Sequence, residues 1–266
     1  MSDEPAENIS GGQAGGGRAS AFDPGDGTSR VETFVDRLGE RYWQKTYGGQ
    51  DAFECLVRTV LSQNTSDKAS QPAHDDLLDR YATDTGDLAR ALAAADQDEL
   101  ADTISSAGLY NQKSETLIRL ANRVVDEYSG ASAFDEFVKS ESPKRVRDTL
   151  LDMKGVGPKT ADCVLLFAGG RDGVFPVDTH VHRIARRMGF APPDADHEDV
   201  RQAMEAEVPE SKCGFGHTAM IQFGREFCTA RKPACLEGPE ACPMSDICDQ
   251  VGVFVHDGDV VDPSET

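Results

Sequence analysis

The chain has 266 residues, 47 acidic side chains against 27 basic ones, and a formal net charge of −20. That length can bury a core in one or two domains, no apolar run is long enough to span a bilayer, and Met1-Ser2-Asp3-Glu4-Pro5 has neither the basic nor the apolar region of a secretory signal. The expectation is a cytoplasmic protein with no membrane partner, whose seven cysteines stay reduced and available to metal.

Residues 1–30 are rich in Gly, Ser, Ala and Asp, and Gly11-Gly12 and Gly15-Gly16-Gly17 predict disorder. Apolar residues then recur every three or four positions. The spacing predicts helices over Val31–Tyr42, Asp51–Leu61, Lys68–Tyr81, Asp98–Ser105, Lys113–Tyr128, Pro143–Met153, Lys159–Ala168, Thr179–Met188, Glu198–Val208 and His217–Phe227. Ser142-Pro143 marks a helix start, and Gly108, Gly130 and Gly189 follow last turns. No strand pair and no internal repeat stand out, and 251–266 reads as an acidic tail. The expected fold class is all-α.

Acidity taken alone argues against a nucleic-acid partner. An acidic chain whose cations are mostly Arg also suits a cytosol holding molar salt, where the charge keeps the surface hydrated and the Debye length is about 3 Å at 1 M. Between Lys139 and Arg187, however, ten basic residues face six acidic ones, so one stretch is held basic against the general drift.

The segment Leu151-Asp152-Met153-Lys154-Gly155-Val156-Gly157-Pro158-Lys159-Thr160-Ala161-Asp162 reads as helix, tight hairpin, helix. Gly155 and Gly157 let the backbone turn sharply and approach another surface, and Pro158 suits a first helical turn. Exposed amides at such a start form an anion site that a DNA phosphate fits. Lys159 lies at that helix start, in a neighbourhood expected to hold Lys154, Arg183 and Arg186; positive surroundings disfavour its ammonium and free the amine as a nucleophile. The plainer alternative is a phosphate contact. Nineteen residues on, Asp178 in Val177-Asp178-Thr179-His180 precedes another helix and reads as an N-cap that can still face a pocket.

Cys228, Cys235, Cys242 and Cys248 fall within 21 residues, with gaps of six, six and five. Four thiolates suit tetrahedral zinc or a cubane iron–sulfur cluster. Zinc usually takes shorter knuckles, so the wide gaps favour the cluster. Cys55, Cys163 and Cys213 stand alone and read as small core residues.

Taken in order, Leu61-Ser62-Gln63-Asn64-Thr65-Ser66-Asp67, Gly108-Leu109-Tyr110-Asn111-Gln112-Lys113, Gly155-Val156-Gly157-Pro158-Lys159-Thr160-Ala161, Val177-Asp178-Thr179-His180 and the four cysteines resemble the endonuclease III branch of helix–hairpin–helix DNA glycosylases over about residues 31–250. The resemblance implies a bifunctional glycosylase and AP lyase that removes oxidised pyrimidines from duplex DNA. Lys159 would attack C1′, expel the base and form a Schiff base, after which β-elimination cuts the strand; Asp178 would stabilise cationic character at the sugar. It further implies a [4Fe-4S] cluster on Cys228, Cys235, Cys242 and Cys248. Leu109 would be a wedge, Gln63 or Asn64 would fill the vacated space, and Gly155, Gly157, His180, Arg231 and Lys232 would contact DNA. The partner is duplex DNA with a damaged base or abasic site, met by a monomer associated with the nucleoid.

In domain terms, 46–172 would be a helical bundle with the helix–hairpin–helix at about 147–168. Residues 31–45 would join 173–250 in a cluster domain, between a disordered 1–30 and the tail. Two departures stand out. Six residues, Leu236-Glu237-Gly238-Pro239-Glu240-Ala241, separate the second and third cysteines where most relatives have two. The position often held by Gln in the gap-filling loop is Asn64, with Gln63 beside it. Three other readings remain open: an adenine-mismatch glycosylase, whose catalytic Glu would stand where this chain has Thr59; a thymine or uracil mismatch glycosylase; and a non-catalytic DNA-binding module.

Overall fold

Residues 19–20, 22–25, 27, 29–42, 44–82 and 86–266 are described in the computed structural model. Twelve α-helices run through them: α1 Arg30–Gly39, α2 Ala52–Ser62, α3 Asp67–Tyr81, α4 Leu88–Ala93, α5 Gln97–Thr103, α6 Tyr110–Tyr128, α7 Ala131–Ser140, α8 Pro143–Leu151, α9 Pro158–Phe167, α10 Thr179–Met188, α11 His197–Glu207 and α12 Glu210–Glu226. They fall into two units, one spanning Tyr47–Arg171 and the other joining Asp172–Thr266 to the chain before Tyr47.

In the Tyr47–Arg171 unit, α2 and α9 form the centre. Asp51 caps α2 by accepting from the amides of Phe53 and Glu54, and nearly every side chain from Ala52 to Leu61 is buried. In α9 everything from Thr160 to Phe167 is buried. The amphipathic helices α3, α6, α7 and α8 lay single apolar faces on this pair. Full burial of side chains such as Leu56, Leu61 and Leu77 contributes roughly 1.5–3 kcal/mol each. The second unit packs α1, α10, α11 and α12 around Phe34, Leu38, Phe175, Ile184, Met204, Phe215 and Phe223, with Phe34 edge-on to Phe190 and Phe223.

The structure differs from expectation in four places. Helices α4 and α7 were not foreseen. Helix α12 begins at Glu210 rather than His217, and it carries Gly216 and Gly224 because space is short: a Cβ would meet Phe175 at 2.7 Å or His180 Nδ1 at 2.6 Å. Two short antiparallel pairs exist, β1 Ala19–Ser20 with β2 Gln44–Lys45 and β3 Val253–Phe254 with β4 Asp259–Val260. Finally, 251–266 is no loose tail: Asp262 pairs with Arg186 at 2.7 Å and Pro263 is buried. The disorder expected for 1–30 falls mainly on residues outside the described ones, but Phe22 packs on Phe215 with centroids 4.1 Å apart.

Candidate functional site

The hairpin between α8 and α9 is built by backbone. Asp152 ends α8, the Val156 amide donates to Met153 O at 3.0 Å, and buried Met153 and Val156 root the turn. Gly155 has φ +101°, and a Cβ there would meet Thr116 Cγ2 at 2.7 Å, so glycine is required on both counts. Gly157 is the N-cap of α9, with Pro158 in the first turn, and no side chain caps the helix. The start of α9 thus presents the positive end of the helix dipole without a side-chain cap. Arg147 on α8 holds buried Asp162 on α9 at 2.7 Å, clamping the two helices together.

Lys159 sits in that first turn and is half-buried. Its charge reaches Cys55, where it opposes the burial that pushes the thiol up to about 12. Cys55 and Cys163 are core residues, as is Cys213. Of the cations expected around the lysine, Arg186 has its charge offset by Asp262. Arg183 is spent on nearby acceptors, donating to the backbone at Cys228 O at 2.8 Å and to the side-chain His180 Nδ1 at 3.1 Å.

Asp178 caps α10. Its Oδ1 accepts from the amides of His180 and Val181, both at 2.9 Å, so the carboxylate is oriented by backbone while Oδ2 takes neither bond. His180 follows directly. Because Arg183 can only donate, His180 Nδ1 is the acceptor and Nε2 carries the proton.

The four cysteines line one recess with Arg187, Phe223 and Phe227. Burial raises the Cys235, Cys242 and Cys248 thiols, and each is raised further by the sulfurs around it, Cys248 to about 12. Thiols so placed ionise together only around a cation that displaces their protons. Arg187, 4% exposed, has Nε without a partner and Nη1 3.7 Å from Cys228 Sγ, which suits an anionic centre. Four sulfurs around one recess supply the thiolate set that an iron–sulfur cluster takes. The long gap is taken up by two 3₁₀ turns, Ala234–Glu237 and Pro239–Ala241, hinged at Gly238 with φ +121°.

The profile describing HhH-GPD superfamily base excision DNA repair proteins matches residues 57–210. That of the iron–sulfur binding domain of endonuclease III matches 228–248, from the first of the four cysteines to the last. The endonuclease III of Thermotoga maritima is 33% identical over 222 residues, which are 82% of this chain and 92% of that protein. This chain belongs to the endonuclease III family. The endonuclease III of Haemophilus influenzae is 30% identical over 84% of this chain and 95% of its own. A solved non-covalent endonuclease III–DNA complex aligns with TM-score 0.68 at 29% identity, over 83% of this chain and 94% of that one. A trapped covalent endonuclease III–DNA intermediate aligns at 0.67 and 27%, over 84% and 96%. The protein is thus a base excision repair DNA glycosylase and AP lyase that acts on DNA and carries a [4Fe-4S] cluster.

Within the family frame, the two gap-filling candidates separate. Gln63 is half-buried and donates through Nε2 to Gly155 O at 3.2 Å and Thr160 Oγ1 at 3.1 Å, so it braces the hairpin. Asn64 is exposed with φ +53°. Leu109 is 57% exposed with φ +49°. Thr59 is buried and donates to Cys55 O at 2.8 Å, so its hydroxyl is turned back onto its own helix. Arg231 and Lys232 are exposed on a loop whose carbonyls at Thr229 and Ala230 are each held by Arg187 at 2.6 Å. The supporting roles of Arg183 and Arg187 were not foreseen; the sequence shows only their charge. No helix of the described residues is long and apolar enough to cross a membrane.

Proposed function

We propose that this enzyme removes oxidised pyrimidines from duplex DNA with Lys159 as nucleophile. The neutral amine forms a bond to C1′ as the glycosidic bond breaks and its electron pair leaves with the base. Ring opening gives the Schiff base, which acidifies the 2′-proton; its loss expels the 3′-phosphate. Asp178, its Oδ1 fixed by two amides, stabilises positive charge at the sugar and receives protons from Lys159. Leu109 is the wedge and Asn64 fills the gap. The uncapped α9 start, with Gly155 and Gly157, takes a phosphate, while His180, Arg231 and Lys232 contact the strand. Cys228, Cys235, Cys242 and Cys248 would hold the cluster, which when bound cross-links the loop bearing Arg231 and Lys232.

The observation that carries this reading is a lysine in the first turn of the hairpin helix, combined with a threonine turned away at the position where a mismatch glycosylase would need its glutamate. The test is borohydride trapping on duplexes carrying thymine glycol, an abasic site or an A·G mismatch, in low and molar KCl. A covalent complex on the first two, lost in Lys159→Gln while DNA binding persists, is expected. Adenine release from the mismatch without trapping would overturn the reading and leave Lys159 a phosphate contact.

A further inference from the structure

Lys113 lies in the first turn of α6 and is only 4% exposed. Its ammonium donates to Leu61 O at 2.6 Å, Thr65 Oγ1 at 2.7 Å and Ala107 O at 2.9 Å. Three protons meet three acceptors, so the group is saturated. None of those acceptors is a carboxylate, and burial lowers the pKa of this lysine. An ammonium taken from water onto neutral oxygens is a costly way to fill core space, and its acceptors divide between two pieces of the proposed DNA-inserting machinery: Leu61 and Thr65 flank Asn64, and Ala107 leads into Leu109.

Leu61 O is one of the last carbonyls of α2, with no helical partner beyond it. Thr65 stands next to Asn64, and its hydroxyl donates in turn to Ala107 O at 2.5 Å. Ala107 closes the turn that leads into Gly108 and Leu109, and the backbone amide of Lys113 itself donates to Leu109 O at 2.9 Å. Asn64 and Leu109 are exposed and both held in left-handed backbone, at φ +53° and +49°. Non-glycine residues keep that conformation only where their surroundings impose it. One buried cation therefore ties together the anchors of both.

We propose that Lys113 is a positioning residue that locks the Asn64 loop and the Leu109 turn into a single rigid device, so that gap filling and wedging occur as one insertion. The inference rests on the roles proposed above for Leu109 and Asn64.

The test uses 2-aminopurine placed opposite the lesion as a reporter of unstacking, with single-turnover excision measured in parallel. Substrates carry thymine glycol opposite 2-aminopurine, standing in for adenine, or opposite a tetrahydrofuran residue, where no base has to be displaced. Lys113→Met and Thr65→Val are expected to lose the fluorescence change and slow excision from the paired substrate by about tenfold or more, with an effect under about threefold on the tetrahydrofuran substrate. Thr65→Ser, which keeps the hydroxyl, should behave as the parent. Thr65→Val keeps the test open if Lys113→Met fails to fold. Equal slowing on both substrates, or an unchanged fluorescence amplitude in both variants, overturns the proposal. Leu109→Ala and Asn64→Ala serve as controls. If they lose the signal while Lys113→Met keeps it, Lys113 alone is misassigned; if they too keep it, the wedge reading falls and this proposal with it.

Discussion

His74, on α3, is 3% exposed, and neither ring nitrogen has a hydrogen-bond partner. Glu54 and Asp75 stand 3.8 and 4.0 Å away, too far to bond it. Burial first, and then the charge of Arg58, pull its pKa down to about 4, against a weaker opposing pull from Asp75. The folded value lies below the unfolded one of about 6.5, so the unfolded chain takes a proton first as pH falls. Stability is complete above that unfolded value and declines until the folded pKa is reached, by up to about 3 kcal/mol. Between pH 7 and 4 the urea midpoint of the parent should fall relative to that of His74→Leu, because the variant lacks this loss. Parallel curves would remove His74 as the cause. At the same scale, legibility was uneven. The four cysteines stand out through residue type and spacing, whereas Lys159 and Asp178 are singled out by the family resemblance, and the structure puts both at helix starts. Gln63 and Asn64 could not be told apart, because what distinguishes them is a bond to Gly155 O and Thr160 Oγ1, contacts far away in sequence. Lys113 left one usable trace: it occupies the buried face of α6 one turn before Leu117, where a charge has to be paired or bonded.

Elements were read best where a long amphipathic stripe met a capping residue. Helix α10 keeps its expected ends because Asp178 caps one and Gly189, with φ +74°, the other. Helix α4 has six residues, too few to show a period, and α7 starts behind Ser129 and Gly130, which read as a stop. Helix α12 was truncated in the reading by its own glycines, which lower helix propensity yet serve close packing on Phe175 and His180. The cysteine loop has little regular structure of its own, only short 3₁₀ turns; Arg187 holds its carbonyls at Thr229 and Ala230, Arg37 pairs with Asp246, Met244 is buried, and the four thiols line one recess. Cys235→Ser should therefore bleach the visible absorption and weaken DNA binding by about tenfold or more, while helical circular dichroism stays near that of the parent. Retention of the visible band would take Cys235 out of the ligand set.

For the whole molecule, the basic stretch from Lys139 to Arg187 means something different in three dimensions. Arg147 clamps Asp162 and Arg186 pairs with Asp262. Arg171 holds the carbonyls of Val138 and Glu141, Arg183 that of Cys228, and Arg187 those of Thr229 and Ala230. Lys139, Lys144 and Arg145 each face a carboxylate one turn away. Most of this local positive balance is thus scaffolding that satisfies helix ends, loops and carboxylates, in a chain whose net charge is −20. On the contacts proposed above, DNA would be gripped through a few placed cations and backbone amides rather than a broad basic field. With Arg231, Lys232 and the exposed Lys154 beside the hairpin glycines counted as the phosphate-binding cations, the logarithm of affinity for an undamaged duplex should fall against log KCl with a slope of about −3. Ten open cations would give about −9 and no measurable binding in molar salt. Fluorescence anisotropy across a KCl series measures the slope directly, and Lys154→Ala, Arg231→Ala and Lys232→Ala should each flatten it by about one. A parent slope steeper than about −6 would mean that the inward arginines release their partners on DNA and that the stretch is a binding surface after all. A shallow slope would explain how so acidic a chain can hold DNA in molar salt: screening removes the repulsion, while contacts at a helix start and a metal-pinned loop need little long-range attraction to form.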